Sequence, residues 1–253
     1  MHKANALRVF AFAAMLLVAG AGWASADVLE AEPAQYYGHA YLDAITGELS
    51  WDFAAPSPFA GTDVYSNVTA TPNFGFSSTS LTSIWGDRVN TVGTGILQEQ
   101  DFTVFNAGTS AGSLTSASFN VNFFDGVTSA PLGGYTTPVV TITGGLAPGF
   151  FTIITITGIG PANINLGVTD VIVTQQLGVK NGAANRLGIA SLDPPTIGSS
   201  IPQMYINSST VGPAGFYNIG NPVLPANPGY RINVASPVPT ETKTWGKVKA
   251  QYH

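Results

Sequence analysis

The residues whose type and spacing suit chemistry are few. Gly108-Thr109-Ser110-Ala111-Gly112 fits Gly-x-Ser-x-Gly, the nucleophile elbow of serine hydrolases, which needs a strand before it, a helix after it and a later histidine. The stretch after Gly112 alternates like a strand, and the histidine beyond it is His253, the last residue. The segment therefore reads as a hairpin loop. In the mature chain His39 and His253 remain, and a triad would have to rest on His39, in a Tyr-rich arm. So few histidines and no cysteine exclude a histidine-rich or thiolate metal site.

Paired carboxylates are the second possibility, since two of them can cleave a glycosidic bond. Glu48 with Asp52 and Glu99 with Asp101 are the pairs. Residues two apart on a strand share a face, so Glu99 and Asp101 can converge on one site. Hard oxygen ligands also suit a structural calcium ion. The acids that read as loop or strand-end residues are Asp43, Glu48, Asp52, Asp63, Asp87 and Asp125, although no Asp-x-Asp-x-Asp-Gly loop is present.

Aromatic rings can stack on pyranose faces. Tyr36, Tyr37, Tyr41 and Trp51 cluster early in the chain, and Tyr205, Phe216 and Tyr217 fall in a loop-rich stretch. Packing over the end of a domain is the competing role for both clusters. Trp85, beside Gly86-Asp87, reads as core.

These residues must be positioned by a β scaffold. The chain has 253 residues, 9% of them charged, with 29 glycines, 17 prolines and no cysteine. A 45% apolar content with a net charge of -5 excludes a disordered chain. Nine basic against fourteen acidic residues exclude an electrostatic nucleic-acid binder. Scarce Glu and Lys argue against a mostly helical protein.

The cleanest alternation runs from Ser113 to Phe124: Ala117, Phe119, Val121 and Phe123 face one way, Ser116, Ser118, Asn120 and Asn122 the other. Tyr230, Ile232 and Val234 alternate with Arg231 and Asn233, and Val140 and Ile142 with threonines. Phe150 to Thr157 suits a strand buried on both faces. Further strands are expected over Asp63–Val68, Phe76–Ile84, Asp101–Asn106, Val168–Gln175 and Met204–Asn207. Gly133-Gly134, Gly144-Gly145, Ala147-Pro148-Gly149, Asn181-Gly182 and Asn227-Pro228-Gly229 read as turns. The expectation is an all-β protein: one antiparallel, jelly-roll-like β-sandwich of roughly eight to twelve strands with long loops. Gly182–Pro228 reads as loops and edge strands of that sandwich.

The ends carry separate signals. Lys3 and Arg8, the apolar run Val9–Gly22 and Ala24-Ser25-Ala26 predict a cleaved export peptide over 1–26. Its loss removes two bases and no acid, so seven bases face fourteen acids and the net charge becomes -7. The sandwich then occupies 27–236, with 27–60 as a leading arm and first strands, and 237–253 is a tail. No second long apolar run follows, so no helical span is expected in the mature chain.

Val64-Tyr65-Ser66-Asn67, Phe74-Gly75-Phe76, Ile84-Trp85-Gly86-Asp87-Arg88-Val89, Asp193-Pro194-Pro195-Thr196-Ile197-Gly198-Ser199-Ser200 and Gly229-Tyr230-Arg231-Ile232-Asn233-Val234 follow one another in order. This succession resembles the secreted β-sandwich domains of bacterial PEP-CTERM-type and choice-of-anchor surface proteins. The resemblance implies export and surface display rather than a reaction. The Pro-Glu-Pro motif, apolar helix and Arg cluster of a PEP-CTERM anchor are missing. The chain ends instead on Thr244-Trp245-Gly246-Lys247 and six further residues, which resembles short Thr-Trp-Gly-Lys tails of some exported bacterial proteins; a sorting or attachment role is one reading and a plain terminal strand or frayed end the other.

The expected function is a non-catalytic surface or matrix protein of structural or adhesive role, with polysaccharide or other envelope proteins as partners and no cofactor beyond a structural calcium. A calcium-assisted carbohydrate-binding module is the alternative, and a secreted glycoside hydrolase the third.

Overall fold

In the computed structural model the described residues are 31–52, 62–68, 72–219 and 226–235. The export segment 1–26 and the tail, with Thr244, Trp245, Gly246 and Lys247, lie outside them.

β1 (Gln35–Asp43) and β2 (Leu49–Asp52) form a hairpin. β3 (Thr62–Ser66), β4 (Pro72–Ser78) and β5 (Ile84–Asn90) precede two long strands, β6 (Gly95–Asn106) and β7 (Leu114–Asp125). β8 (Pro131–Thr136), β9 (Val140–Leu146) and β10 (Phe150–Thr157) follow. A 3-10 turn at Gly160–Ala162 leads into β11 (Asn165–Leu166), β12 (Asp170–Gly182), β13 (Leu187–Leu192) and β14 (Ser199–Ser200). β15 (Met204–Ser208), β16 (Gly212–Tyr217) and β17 (Tyr230–Val234) complete the described elements.

These strands form two sheets of nine and eight members. The first runs β2-β1-β10-β6-β13-β4, and β6 is long enough to carry β17, and β3 beyond it, on the same side as β13. The second runs β16-β15-β5-β12-β7-β8, with β14 beside β5 and β9 beside β7. All ladders are antiparallel except β1 against β10. The architecture is an all-β sandwich, as the strand pattern implied.

The core between the sheets draws on both. Ala40, Leu42, Phe102, Ile154, Ile156, Tyr230 and Ile232 come from the first sheet, and Val89, Phe119, Val121, Phe123 and Val173 from the second. Period two then sends the intervening residues of the first sheet to its outer face: His39 and Tyr41, Asp101 and Thr103, Ile153 and Thr155, and Arg231. A smaller apolar cluster of Phe105, Phe151, Ile153, Ala190 and Leu192 sits on that outer face.

Several expectations are corrected. The stretch Phe76–Ile84 is not one strand: β4 ends at Ser78, and Ser83 N–H closes a turn onto the Ser80 carbonyl. Ser, Thr and Ser in succession supply that turn with local hydroxyl bonds. The leading arm holds β1, which lies inside the first sheet between β2 and β10. A register break between Tyr36 and Gly38 interrupts its alternation and hides the strand from a period-two reading. Within Gly182–Pro228, Leu187–Leu192 is an internal strand with all six residues buried. Gly133-Gly134 and Gly144-Gly145 lie inside strands. Gly134 is there for close approach, since a Cβ would fall 2.6 Å from the Val121 carbonyl oxygen. Gly144 and Gly145, at φ +76° and +77°, absorb a distortion opposite the register break between Leu114 and Ser116 of β7.

Candidate functional site

A polar row crosses the outer face of the first sheet. Tyr41 of β1 opposes Thr155 of β10, Thr155 opposes Asp101 of β6, Asp101 opposes Arg231 of β17, and Arg231 opposes Ser66 of β3. Arg231 Nε donates to Asp101 Oδ2 at 2.9 Å and Nη2 to Asp101 Oδ1 at 3.0 Å. The same guanidinium reaches Asp63 Oδ1 at 3.0 Å and Glu99 Oε2 at 3.3 Å. Asn233 Nδ2 also donates to Asp63, at 2.8 Å. Thr155 Oγ1 donates to Asp101 Oδ1 at 2.8 Å and lies 2.5 Å from His39 Nε2. The His39 ring stacks on Tyr41 at 4.3 Å.

His39, Asp101, Thr155 and Arg231 are all buried. Burial works against the charge on Arg231, but the Asp101 fork, with Asp63 and Glu99, outweighs it and raises the pKa. Burial raises Glu99, partly offset by Arg231. Burial lowers His39, opposed by the Asp101 charge and reinforced by Arg231, so His39 is neutral near pH 7.

Proton directions decide what this row can do. Thr155 has one proton, and it goes to Asp101. His39 Nε2 must then donate to Thr155, which leaves the lone pair on Nδ1. A nucleophile–base pair needs the reverse, with the hydroxyl giving its proton to the imidazole. Glu99 and Asp101 do share a face, as their spacing implied, but both are counter-ions of Arg231.

The aromatic candidates do other work. Tyr37 meets Trp51 at 6.0 Å and Phe150 at 6.3 Å, both edge to face. Its hydroxyl donates to the Thr143 carbonyl, and Trp51 Nε1 donates to the Thr141 carbonyl at 3.2 Å. Thr141 and Thr143 belong to β9, so these two side chains of the first sheet stitch it to the second. Tyr36 is 38% exposed and lies tilted on Phe151. Burial, then the charges of Tyr41 and Asp52, push its phenol up to about 12. Tyr205 meets Phe216 edge to face at 5.4 Å. Tyr217 donates to the Pro213 carbonyl at 2.6 Å.

The acids considered for calcium are separated. Asp43 Oδ1 accepts the N–H groups of Ile45 and Thr46, both at 2.8 Å, in the turn that also holds Glu48. Asp125 Oδ1 accepts those of Val127 and Thr128, again at 2.8 Å. Backbone donors hold both carboxyls below the ordinary range. Among the described residues no three His, Cys, Asp or Glu side chains are grouped to hold a metal. Asp87 is not a loop acid. It shares its face of β5 with Trp85 and Val89 and is fully buried between the sheets.

Gly108–Gly112 is the β6–β7 turn, and β7 follows it rather than a helix. Ser110 Oγ and the Ala111 N–H both bond Asn185 Oδ1, at 3.3 and 2.8 Å. One cavity, lined by Ser83, Trp85, Val104, Phe119, Gln175 and Leu177 among others, measures about 20 Å³, room for about one water.

Sequence reading missed Arg231, Thr155, Tyr65 and Tyr230. A signal for Arg231 existed: it is a rare base, on the wet-reading face of an alternating strand, in a chain where Glu99 and Asp101 share a strand face. Nothing local linked those strands. No family model, curated protein or solved structure matches the chain.

Proposed function

We propose that the chain is a non-catalytic, exported β-sandwich with a structural or adhesive role at a cell surface or in a matrix, of the kind the choice-of-anchor resemblance implies. The observation that carries this reading is the 2.8 Å contact of Thr155 Oγ1 with Asp101 Oδ1, in which the carboxylate accepts and the hydroxyl proton is taken. The groups that most resemble catalytic machinery are tied to one another: Thr155 to Asp101, Asp101 and Glu99 to Arg231. The same row bonds five adjacent strands laterally, which suits a load-bearing sheet. Tyr37 and Trp51 bond the sheets to each other.

The Tyr36 corner favours carbohydrate binding as a second reading, because an exposed phenol there neighbours Tyr41 and Asp52. One experiment separates the readings. The full chain is incubated with a panel of soluble and insoluble polysaccharides and chromogenic esters, with calcium and with chelator. The structural reading expects neither turnover nor retention. Retention by one glycan, lost in Tyr36→Ala, would move the protein to the binding modules. Turnover abolished by Glu99→Gln would overturn both.

A further inference from the structure

Among the described residues, Asp87 is the acid buried in the core between the sheets. Asp87 is fully buried, and neither of its carboxylate oxygens has a hydrogen-bond partner. Three hydroxyls around it are also unpartnered: Tyr65 Oη, Tyr230 Oη and Ser200 Oγ. Both tyrosines are fully buried. The topology brings these four side chains together. Ser200 opposes Val89 on the neighbouring strand, which makes it the diagonal neighbour of Asp87. Tyr65 opposes Ile232, which makes it the diagonal neighbour of Tyr230. One pair comes from each sheet, and both face the core. The Tyr65 and Ser200 hydroxyls lie near enough to Asp87 to influence its ionisation, and Tyr230 feels its charge.

The environment is one-sided. A buried carboxylate needs a cation, N–H donors or a proton, and no Lys, Arg or His side chain is among the groups that act on Asp87. Burial opposes its charge; the Arg88 backbone N–H and the Ser200 and Tyr65 hydroxyls favour it, and a second carboxylate, Asp193, opposes it again. Asp193 opens a strap, residues 193–201, that closes this end of the sandwich. The strap is fixed by Thr196 N–H and Ile197 N–H to the Ser66 carbonyl, at 2.8 and 3.1 Å. It carries Ser200, which is half-buried as a residue but whose hydroxyl oxygen is buried. All-oxygen donors with two negative charges are the ligand chemistry of a hard divalent cation, calcium above others because it tolerates irregular sets of oxygens.

We propose that Asp87, Tyr65, Tyr230 and Ser200 form an internal calcium-class cation site beneath the 193–201 strap, with Asp193 supplying the second negative charge. The site clamps β3 and β17 of one sheet to β5 and β14 of the other. It is distinct from the loop acids Asp43 and Asp125, whose Oδ1 atoms accept backbone N–H groups of their own turns.

The test uses the full chain, stripped with chelator. Terbium is titrated and its emission read through the aromatic rings beside it, and thermal unfolding is followed with calcium and with chelator. The expected result is saturable emission that calcium displaces. Unfolding temperature should rise by about 5–10 °C at calcium about 100-fold above its Kd. Asp87→Asn should abolish both effects and Asp125→Asn neither. Tyr65→Phe removes one oxygen while keeping the ring, and should weaken calcium binding about tenfold or more. It stands in if Asp87→Asn fails to fold. Absence of both effects in the wild-type chain would overturn the proposal, as would their survival in Asp87→Asn. Asp87 would then be a neutral acid bonded to its hydroxyl neighbours.

Discussion

Arg231 grips Asp101 in a bidentate fork, Nε to Oδ2 at 2.9 Å and Nη2 to Oδ1 at 3.0 Å, from directly opposed positions on β17 and β6. The two residues are 130 apart in sequence and both are buried. Planar matching of this sort holds geometry as well as charge. It fixes β17 against the longest strand of its sheet, and it orients Asp101 to receive Thr155.

Removing one partner of this fork is costly. Arg231→Ala leaves Asp101 buried and unpaired, and should lower stability by about 3–5 kcal/mol. Arg231→Lys keeps the charge but loses the fork and should fall between the two. Urea unfolding at pH 7 measures both. A loss below about 1 kcal/mol for Arg231→Ala would mean that the row carries little of the sheet's cohesion.

His39 should make stability depend on pH. Its folded pKa lies below the ordinary 6.5, so between the two values the unfolded chain binds more protons than the folded one. Stability therefore rises with pH across that window. The contribution is present in full above about 6.5 and is lost as pH falls through the lowered folded value. Denaturation midpoints from pH 5 to 8 should show this slope in the wild-type chain and a flatter one in His39→Gln.

Tyr37 and Trp51 should affect stability rather than binding. Tyr37→Phe keeps the edge-to-face packing and removes the donor to the Thr143 carbonyl, which should cost about 1 kcal/mol. Trp51→Phe should cost a similar amount or more, because it also loses ring area. Glycan retention, measured beside unfolding, should not change in either. A loss of retention at unchanged stability would make these rings a binding platform.

Gly188 should be among the least replaceable residues. Its strand is ordinary extended backbone, yet a Cβ would fall 1.8 Å from the Phe76 carbonyl oxygen of β4. Gly188→Ala should cost about 3 kcal/mol or more by prising the two strands apart. Gly47→Ala, at a positive φ with open space around it, should cost about 1 kcal/mol from backbone strain alone. Comparing their unfolding midpoints separates the two demands on glycine.

Much of the scaffold was legible in local pattern. The alternation of Ser113–Phe124 and the apolar run Phe150–Thr157 are β7 and β10, and Tyr230–Val234 is β17. The Gly108–Gly112 hairpin followed from the strand-like residues after it, and Trp85 is core. Period two even places Asp87 on the face of Trp85 and Val89. Its charge argued for a loop instead, and the reading followed the charge.

By itself, then, the amino-acid sequence determined the all-β class, many of the strands and the side of each strand that faces inward, because a side chain's face depends on its own position along an extended backbone. The tertiary structure alone decided which strands are neighbours. That choice set Arg231 between Asp101 and Glu99, joined Thr155 to His39, and brought Tyr65, Tyr230 and Ser200 around Asp87. Each of these contacts joins segments far apart in the chain, so its energy depends on how two whole sheets bury their surfaces together, and no local spacing carries that information.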